Sequence, residues 1–311
     1  MEKTVSIVIV VSQNSQEILR NCLNSIQKFW YEVDFEILVS DNATMDHCPK
    51  TLREEFPQVV VLENTENLGF CKGFNRALAK AKGRYVLSLN SDTVILDHSL
   101  KKMVEFLDSH PEIGCLAPRL KNPDGTIQRS CYSDPSLMGA LLGNLGLHKI
   151  LPELFLIHYF LNSVFDHQKA RIVPNVMGAA LLIPKSLLQD IGGLNEQYPM
   201  YSDDLDLCLE IRNRKKQVFF YPEAEIIHLG GQSSQQIWSH TEQAIQKTLS
   251  ISYYFKKHRS KFSWQLFRLI FTIGGIFRFL FYFLISFIRK PFRSRALYQL
   301  NFLKGIWRPI S

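Results

Sequence analysis

Tyr85-Val86-Leu87-Ser88-Leu89-Asn90-Ser91-Asp92 is an apolar run that ends on an aspartate. Its first five residues predict a buried strand, with Asp92 just beyond the strand's carboxyl end. Before it, strand and helix patterns alternate. Val5-Ser6-Ile7-Val8-Ile9-Val10-Val11 predicts a first strand. Residues 15–29 repeat apolar side chains at Ile18, Leu19, Cys22, Leu23 and Ile26, which is one helical face. Residues 35–40 predict a second strand, ending at Asp41-Asn42, and residues 59–63 a third. Residues 48–56 and 69–81 predict the intervening helices. This βαβαβαβ order implies an α/β fold with a doubly wound, mainly parallel sheet. Ligands of such sheets bind beyond the carboxyl ends of the strands, where Asp41 and Asp92 both fall.

The second half is less regular. Residues 99–109 predict a helix closed by Pro111, and residues 118–135 a hairpin or loop around Pro123-Asp124-Gly125. Residues 136–165 form an apolar insertion, either helices packed on the body or a flap facing lipid or acceptor. A strand is expected over 177–183, a short helix over 184–191, a helix over 205–214 and a strand over 218–221. Asp203-Asp204-Leu205-Asp206 precedes the helical run, and Ile226-Ile227 ends in His228-Leu229-Gly230-Gly231. A carboxylate and an imidazole at strand ends can hold a divalent cation, and a second carboxylate cluster can supply a base. Moving a group off a diphosphate needs both. Taken singly, these residues also suit plainer roles. Asp41-Asn42, Asn67 and Asn90-Ser91-Asp92 are turn or cap types, and acids at a helix start complement its dipole.

With 46% apolar and 21% charged residues in 311, the chain is globular rather than disordered. Its net charge of +7 is unevenly spread. No acid follows Glu242, and residues 243–311 carry 13 Lys and Arg. The rest of the chain sets 23 Lys and Arg against all 29 acids. Residues 1–245 therefore read as the main domain and 246–311 as a basic, apolar, helical tail. Residues 266–288 are long enough to span a bilayer, but Arg268 and Arg278 make spanning costly. On a helix these arginines share a side with Arg289, which favours a helix in the interface with arginines toward headgroups. Gly274-Gly275 could break the run into two. The aromatics of the tail are too embedded in apolar runs to stack bases, so no nucleic acid is expected. The six cysteines form no CxxC pair, which suits a reducing compartment.

Several segments together resemble the inverting family 2 glycosyltransferases of GT-A fold, especially their rhamnosyltransferase-like branch. They are Ser6-Ile7-Val8-Ile9-Val10, Glu36 through Ala43, Asn67-Leu68-Gly69-Phe70, Leu89 through Thr93, Gly178-Ala179-Ala180, Gly192 through Glu196, Met200 through Leu209, and Ile227 through Gly231. Each is weak singly; their order, over roughly residues 5–235, is specific. The resemblance implies a nucleotide-diphosphate sugar as donor, dTDP-rhamnose or a UDP sugar. The implied acceptor is a glycan or lipid-linked glycan of cell-surface polysaccharide, and the implied location is the cytoplasmic face of a membrane. It also implies that Asp41 holds the nucleotide base, and that Asn67, Gly69, Asn75 and Asn90 line the donor. Asp92 and His228 would then hold Mg²⁺ or Mn²⁺. Asp204, with Asp203 able to share the role, would be the base, and Asp206 would be structural. The chain departs from the family at Phe74, where Asn is expected, and at Ser12-Gln13. Two rival readings are a polyprenyl-phosphate sugar synthase and a membrane-anchored nucleotide-sugar scaffold with a degenerate site.

Overall fold

The structure is a computed structural model. It describes all residues except 1–3, 13–15, 30, 45–47, 145–165, 199, 231–238, 290 and 309–311. The strands are β1 (Val5–Val11), β2 (Phe35–Asp41), β3 (Val59–Glu63), β4 (Tyr85–Leu89), β5 (Thr93–Ile95), β6 (Ile113–Lys121), β7 (Ile127–Gln128), β8 (Cys131–Tyr132), β9 (Arg171–Ile172), β10 (Asn175–Val176), β11 (Ala180–Pro184) and β12 (Gln217–His228). The helices are α1 (Gln16–Gln27), α2 (Cys48–Glu55), α3 (Phe70–Leu78), α4 (Ser99–Ser109), α5 (Leu137–Asn144), α6 (Lys185–Ile191), α7 (Asp203–Asn213), α8 (His240–His258), α9 (Lys261–Ser286) and α10 (Phe292–Gly305). They form two compact units. One contains residues 1–132, 165–196 and 203–237, and the other residues 133–164, 197–202 and 238–311.

The first unit is built on a sheet of order β3-β2-β1-β4-β11-β6-β12-β5. Its first four strands run parallel, as the βαβ alternation predicts. β1, β2 and β4 are mostly apolar because both faces are covered, and Ile7, Ile9, Ile37, Val39 and Leu87 are fully buried. β11 turns antiparallel to β4, and β6 and β12 are parallel to each other. The sheet is thus mixed α/β and mainly parallel, with the strand order reversing beside β1. β12 is longer than the expected strand over 218–221, continuing through a register shift to His228. β5 was not expected; it pairs antiparallel with β12, His228 opposite Thr93.

Where β1 meets β4, Gly83 donates its N–H to Ser6 Oγ at 2.8 Å. A Cβ there would lie 2.4 Å from Ser6 N and 2.6 Å from the Val5 carbonyl carbon, and backbone cannot give way as a side chain can. Gly83→Ala is therefore expected to destabilise the chain by about 3 kcal/mol, the upper end for overpacking. An unshifted urea midpoint would show that the strands can part at no cost.

The second unit is helical. Ser260 caps α9, its hydroxyl accepting the Ser263 N–H. α9 runs unbroken through Gly274-Gly275, against the expected break. Two glycines cost a helix roughly 2 kcal/mol, but both are needed for packing. A Cβ on Gly275 would lie 2.6 Å from Leu303 Cδ2, and one on Gly274 would overlap the Asn144 amide.

The arginines of α9 also depart from expectation. They do not point outward toward headgroups. Arg268 lies over the rings of Trp264 and Trp307, 5.2 and 3.9 Å from their centroids. Arg278 donates to the Asn144 carbonyl at 2.7 Å and to Gln299 Oε1 at 3.2 Å. Burying a guanidinium is affordable only where acceptors or π faces receive it. The opposite side of α9 presents Phe262, Leu269, Ile273, Ile276, Phe277, Leu280 and Leu284, all exposed, and Phe287 and Ile288 just beyond its end are exposed too. α9 is long and apolar enough to cross a membrane.

Candidate active site

Asp41 closes β2 and is buried. Thr44 donates to it through its hydroxyl at 2.6 Å and its N–H at 3.4 Å. Beside it lies a polar network that the sequence patterns did not reveal. Asn64 Nδ2 donates to Ser40 Oγ and Asn42 Oδ1, Asn42 Nδ2 donates to the Gly69 carbonyl, and Arg76 donates to Asn64 Oδ1. Ser40, Asn42 and Asn64 are buried and paired, and they fix the ends of β2 and β3 against the loop before α3. Asn67 turns that loop by accepting the Gly69 N–H at 3.0 Å, and Gly69 has φ 78, a left-handed value that suits glycine.

Asn75 bridges two elements. Its amide accepts the Leu194 N–H and donates to the Leu194 carbonyl, both at 2.8 Å, and donates to Glu196 at 3.0 Å. A Cβ on Gly193 would fall 2.4 Å from Asn75 Oδ1. The side chain clips α3 to the turn after α6. Phe74, at the departure from the family pattern, is fully buried.

Asp92 and His228 meet because β5 pairs with β12. Leu229 N–H donates to the Asp92 carbonyl at 2.9 Å, and His228 Nε2 lies 3.4 Å from Asp92 Oδ1. Both side chains are buried, 5% and 6% exposed. Asn90 Nδ2 lies 3.5 Å from the same Nε2. His228 Nδ1 lies 2.7 Å from Gln128 Oε1, a residue the sequence reading did not single out. With Nδ1 bonded there, Nε2 and a carboxylate oxygen converge at about the separation of two neighbouring ligands on one cation. The donor set fits Mn²⁺ or Mg²⁺, the imidazole favouring Mn²⁺.

Asp204 of α7 is tied to the end of β4 through the segment that leads into β11. Asn90 N–H donates to the Ala179 carbonyl at 2.9 Å, and Ala180 pairs with Leu89. The adjoining Gly178 donates its N–H to Asp204 Oδ2 at 3.1 Å, while Leu205 N–H reaches Asp204 Oδ1 at 2.8 Å. A Cβ on Gly178 would press against Asp204 Cβ at 3.3 Å. Burial raises the affinity of both acids for protons. Asp203 is pushed up to about 7, by burial first and then by the neighbouring Asp204. Asp204 is also raised by burial, opposed by the N–H groups of Gly178 and Leu205. The two environments differ, which is how one carboxylate of a pair stays available as a base. Immediately before α7, Tyr201 and Ser202 both take left-handed backbone, φ 68 and 64, which is uncommon for such residues. Asp206 is buried, consistent with a structural place.

Residues 7–192 match the family model described as glycosyl transferase family 2. The chain belongs to that family. A second model, glycosyl transferase family group 2, matches residues 153–305 and so reaches beyond residue 235 into the C-terminal helices. Among curated relatives, this family 2 chain is similar to the N-acetylglucosaminyl-diphospho-decaprenol L-rhamnosyltransferase of Mycobacterium tuberculosis. The two are 24% identical over 209 residues, 62% of this chain and 66% of that one. It is also similar to the low-salt glycan biosynthesis hexosyltransferase Agl10 of Haloferax volcanii, 23% identical over 71% of this chain and 66% of that one. The chain thus spans just under two thirds of these relatives' length. Among solved structures it resembles the mannosyltransferase PcManGT of Pyrobaculum calidifontis in complex with GDP-Man and Mn²⁺. That match has a TM-score of 0.59 at 16% identity, covering 99% of this chain and 88% of the other. It also resembles S. aureus TarS 1–349 with UDP-GlcNAc, at a TM-score of 0.55 and 18% identity over 87% and 71% of the two chains. These likenesses establish the GT-A-like architecture.

Proposed function

We propose that this family 2 protein is a metal-dependent inverting glycosyltransferase. In this reading it transfers a sugar from a nucleotide-diphosphate donor to a glycan or lipid-linked acceptor in cell-surface polysaccharide synthesis. The observations that support the proposal are the bond by which Gly178 N–H holds Asp204 and the approach of His228 to Asp92 at the end of the sheet. Asp41 accepts the imide N–H of uracil or thymine, for which a carboxylate is the matching partner. Asn67 and Gly69 let backbone approach the donor, and Asn90 lines it. Asp92 and His228 hold Mg²⁺ or Mn²⁺. The bound cation supplies charge to the departing diphosphate.

Asp204 takes the proton of an acceptor hydroxyl as that oxygen attacks the anomeric carbon. The new C–O bond forms on the face opposite the diphosphate, whose bond to the carbon breaks, so configuration inverts. Asp203, raised toward neutrality, can share that proton. The mycobacterial relative's name, an L-rhamnosyltransferase of a diphospho-decaprenol lipid, favours a rhamnosyl donor and a lipid-linked acceptor. The test is a panel of dTDP-rhamnose, UDP sugars and GDP-mannose with Mn²⁺ or Mg²⁺, read as nucleoside diphosphate release. Release from dTDP-rhamnose is expected. No release from any donor, with or without a glycan lipid, would overturn the reading.

The exposed apolar face of α9 supports peripheral docking at the cytoplasmic leaflet. It is followed in sequence by Arg289, Arg293 and Arg295, in a segment without acids. Each basic residue near an anionic surface adds about 1 kcal/mol, and each buried Phe or Leu roughly 1.5–3 kcal/mol. Substituting Phe277→Glu and Leu284→Glu together should lower binding to phosphatidylserine vesicles by more than about 100-fold. If wild type ignores such vesicles, the face covers a protein partner instead.

A further inference from the structure

We propose that Gln128 is a positioning residue that fixes the tautomer of His228, and that the tip of the β6–β7 hairpin fixes Gln128. The inference rests on the reading of His228 as a ligand of the divalent cation, and it concerns which ring nitrogen is free to bind.

The polarity begins at Asp124. Its carboxylate, whose proton affinity is lowered by the hydroxyl and N–H of Thr126, can only accept. Thr126 donates its hydroxyl to Asp124 Oδ1 at 2.6 Å and its N–H at 3.0 Å. With its proton so committed, Thr126 Oγ1 must accept, and Asn122 Nδ2 donates to it at 2.9 Å. That turns Asn122 Oδ1 toward Gln128, which donates Nε2 to it at 3.0 Å. Gln128 Oε1 is left facing His228 Nδ1 at 2.7 Å. An amide oxygen is no donor, so Nδ1 carries a proton, and in the neutral ring Nε2 keeps the lone pair that a cation needs, on the side of Asp92.

Flipping Gln128 would reverse each link in turn. It would end with Thr126 Oγ1 and Asp124 Oδ1 facing each other without a proton. It would also put Gln128 Oε1 against the His228 carbonyl, which Nε2 now approaches at 3.4 Å. Backbone bonds hold the frame: Asn122 N–H donates to the Thr126 carbonyl at 2.8 Å, and Gly125 N–H to the Asn122 carbonyl at 2.9 Å. Gly125, at φ 83, closes the turn. The chain of bonds thus transmits the orientation of one exposed carboxylate to a buried imidazole. Residues that orient a metal-binding histidine in this way commonly change metal affinity 10–100-fold when removed.

The test uses full-length protein labelled with ¹⁵N-histidine, and Mn²⁺ titration followed by electron paramagnetic resonance without donor. In wild type the His228 shifts should report Nδ1–H with Nε2 unprotonated. Gln128→Leu keeps the bulk and removes the acceptor. It should abolish the preference for that tautomer and weaken Mn²⁺ binding about 10–100-fold. Gln128→Glu restores an acceptor for Nδ1–H, though not the donor to Asn122, and should recover the tautomer preference. An Nε2–H tautomer in wild type, or an unchanged tautomer in Gln128→Leu, overturns the proposal without recourse to any variant's activity. If the tautomer responds as expected but wild type binds no Mn²⁺, the positioning role stands and the metal reading falls.

Discussion

Asp204→Asn lowers sugar transfer by about 10²–10⁴-fold, the range set by losing a positioned base, while donor affinity stays near that of wild type. The isosteric amide still accepts a backbone N–H but cannot take a proton from an acceptor hydroxyl. Single-turnover transfer and binding of the nucleoside diphosphate separate the two effects. Turnover near wild type would move the role to Asp203 or end this mechanism. The pH profile gives a second handle. Only an ionised carboxylate can act as the base, and burial raises both members of the pair. The rate should therefore begin to fall above the usual carboxylate range as pH drops, since burial raises both acids. The two acids titrate together, so the limb belongs to the pair. A rate flat down to pH 5 would show that neither buried acid limits transfer.

Asp92→Ala produces the opposite division. It should weaken Mn²⁺ and nucleoside diphosphate binding together, by more than the 10–100-fold typical of an outer-shell loss, and His228→Ala should do likewise. The physical reason is that both groups are buried and face each other across 3.4 Å. With Asp92 gone, a cation there has only imidazole and water to replace its hydration, and hard divalent ions require oxygen ligands. Excess EDTA should silence the wild type, and added Mn²⁺ should restore it. Full activity in chelator would mean that cationic side chains neutralise the leaving group. The two variants thus report on different steps. Asp204→Asn spares binding and removes chemistry, whereas Asp92→Ala removes binding and chemistry together.

What the sequence by itself determined is local. Apolar runs at 5–11, 35–40, 59–63 and 85–89 separated by helical periodicity predicted four strands of a mainly parallel sheet, and the structure sets their order as β3-β2-β1-β4. They also placed Asp41 and Asp92 at strand ends, because a strand's end is marked by where its apolar run stops. The tertiary structure decided what these residues face. His228 reaches Asp92 only because β12 pairs with β5, a three-residue strand too short to carry a period. Asp204 is held by a glycine 26 positions earlier, and Gln128 meets His228 across 100 positions. Asn75, expected to line the donor, bonds to a turn 119 positions away. In α9 the 3.6-residue period correctly grouped Arg268 and Arg278 on one side, yet that side packs inward on Trp264, Trp307, Asn144 and Gln299. Periodicity says which residues share a face. Which way the face turns depends on distant chain offering acceptors and rings there, and that pairing is settled only when the elements pack.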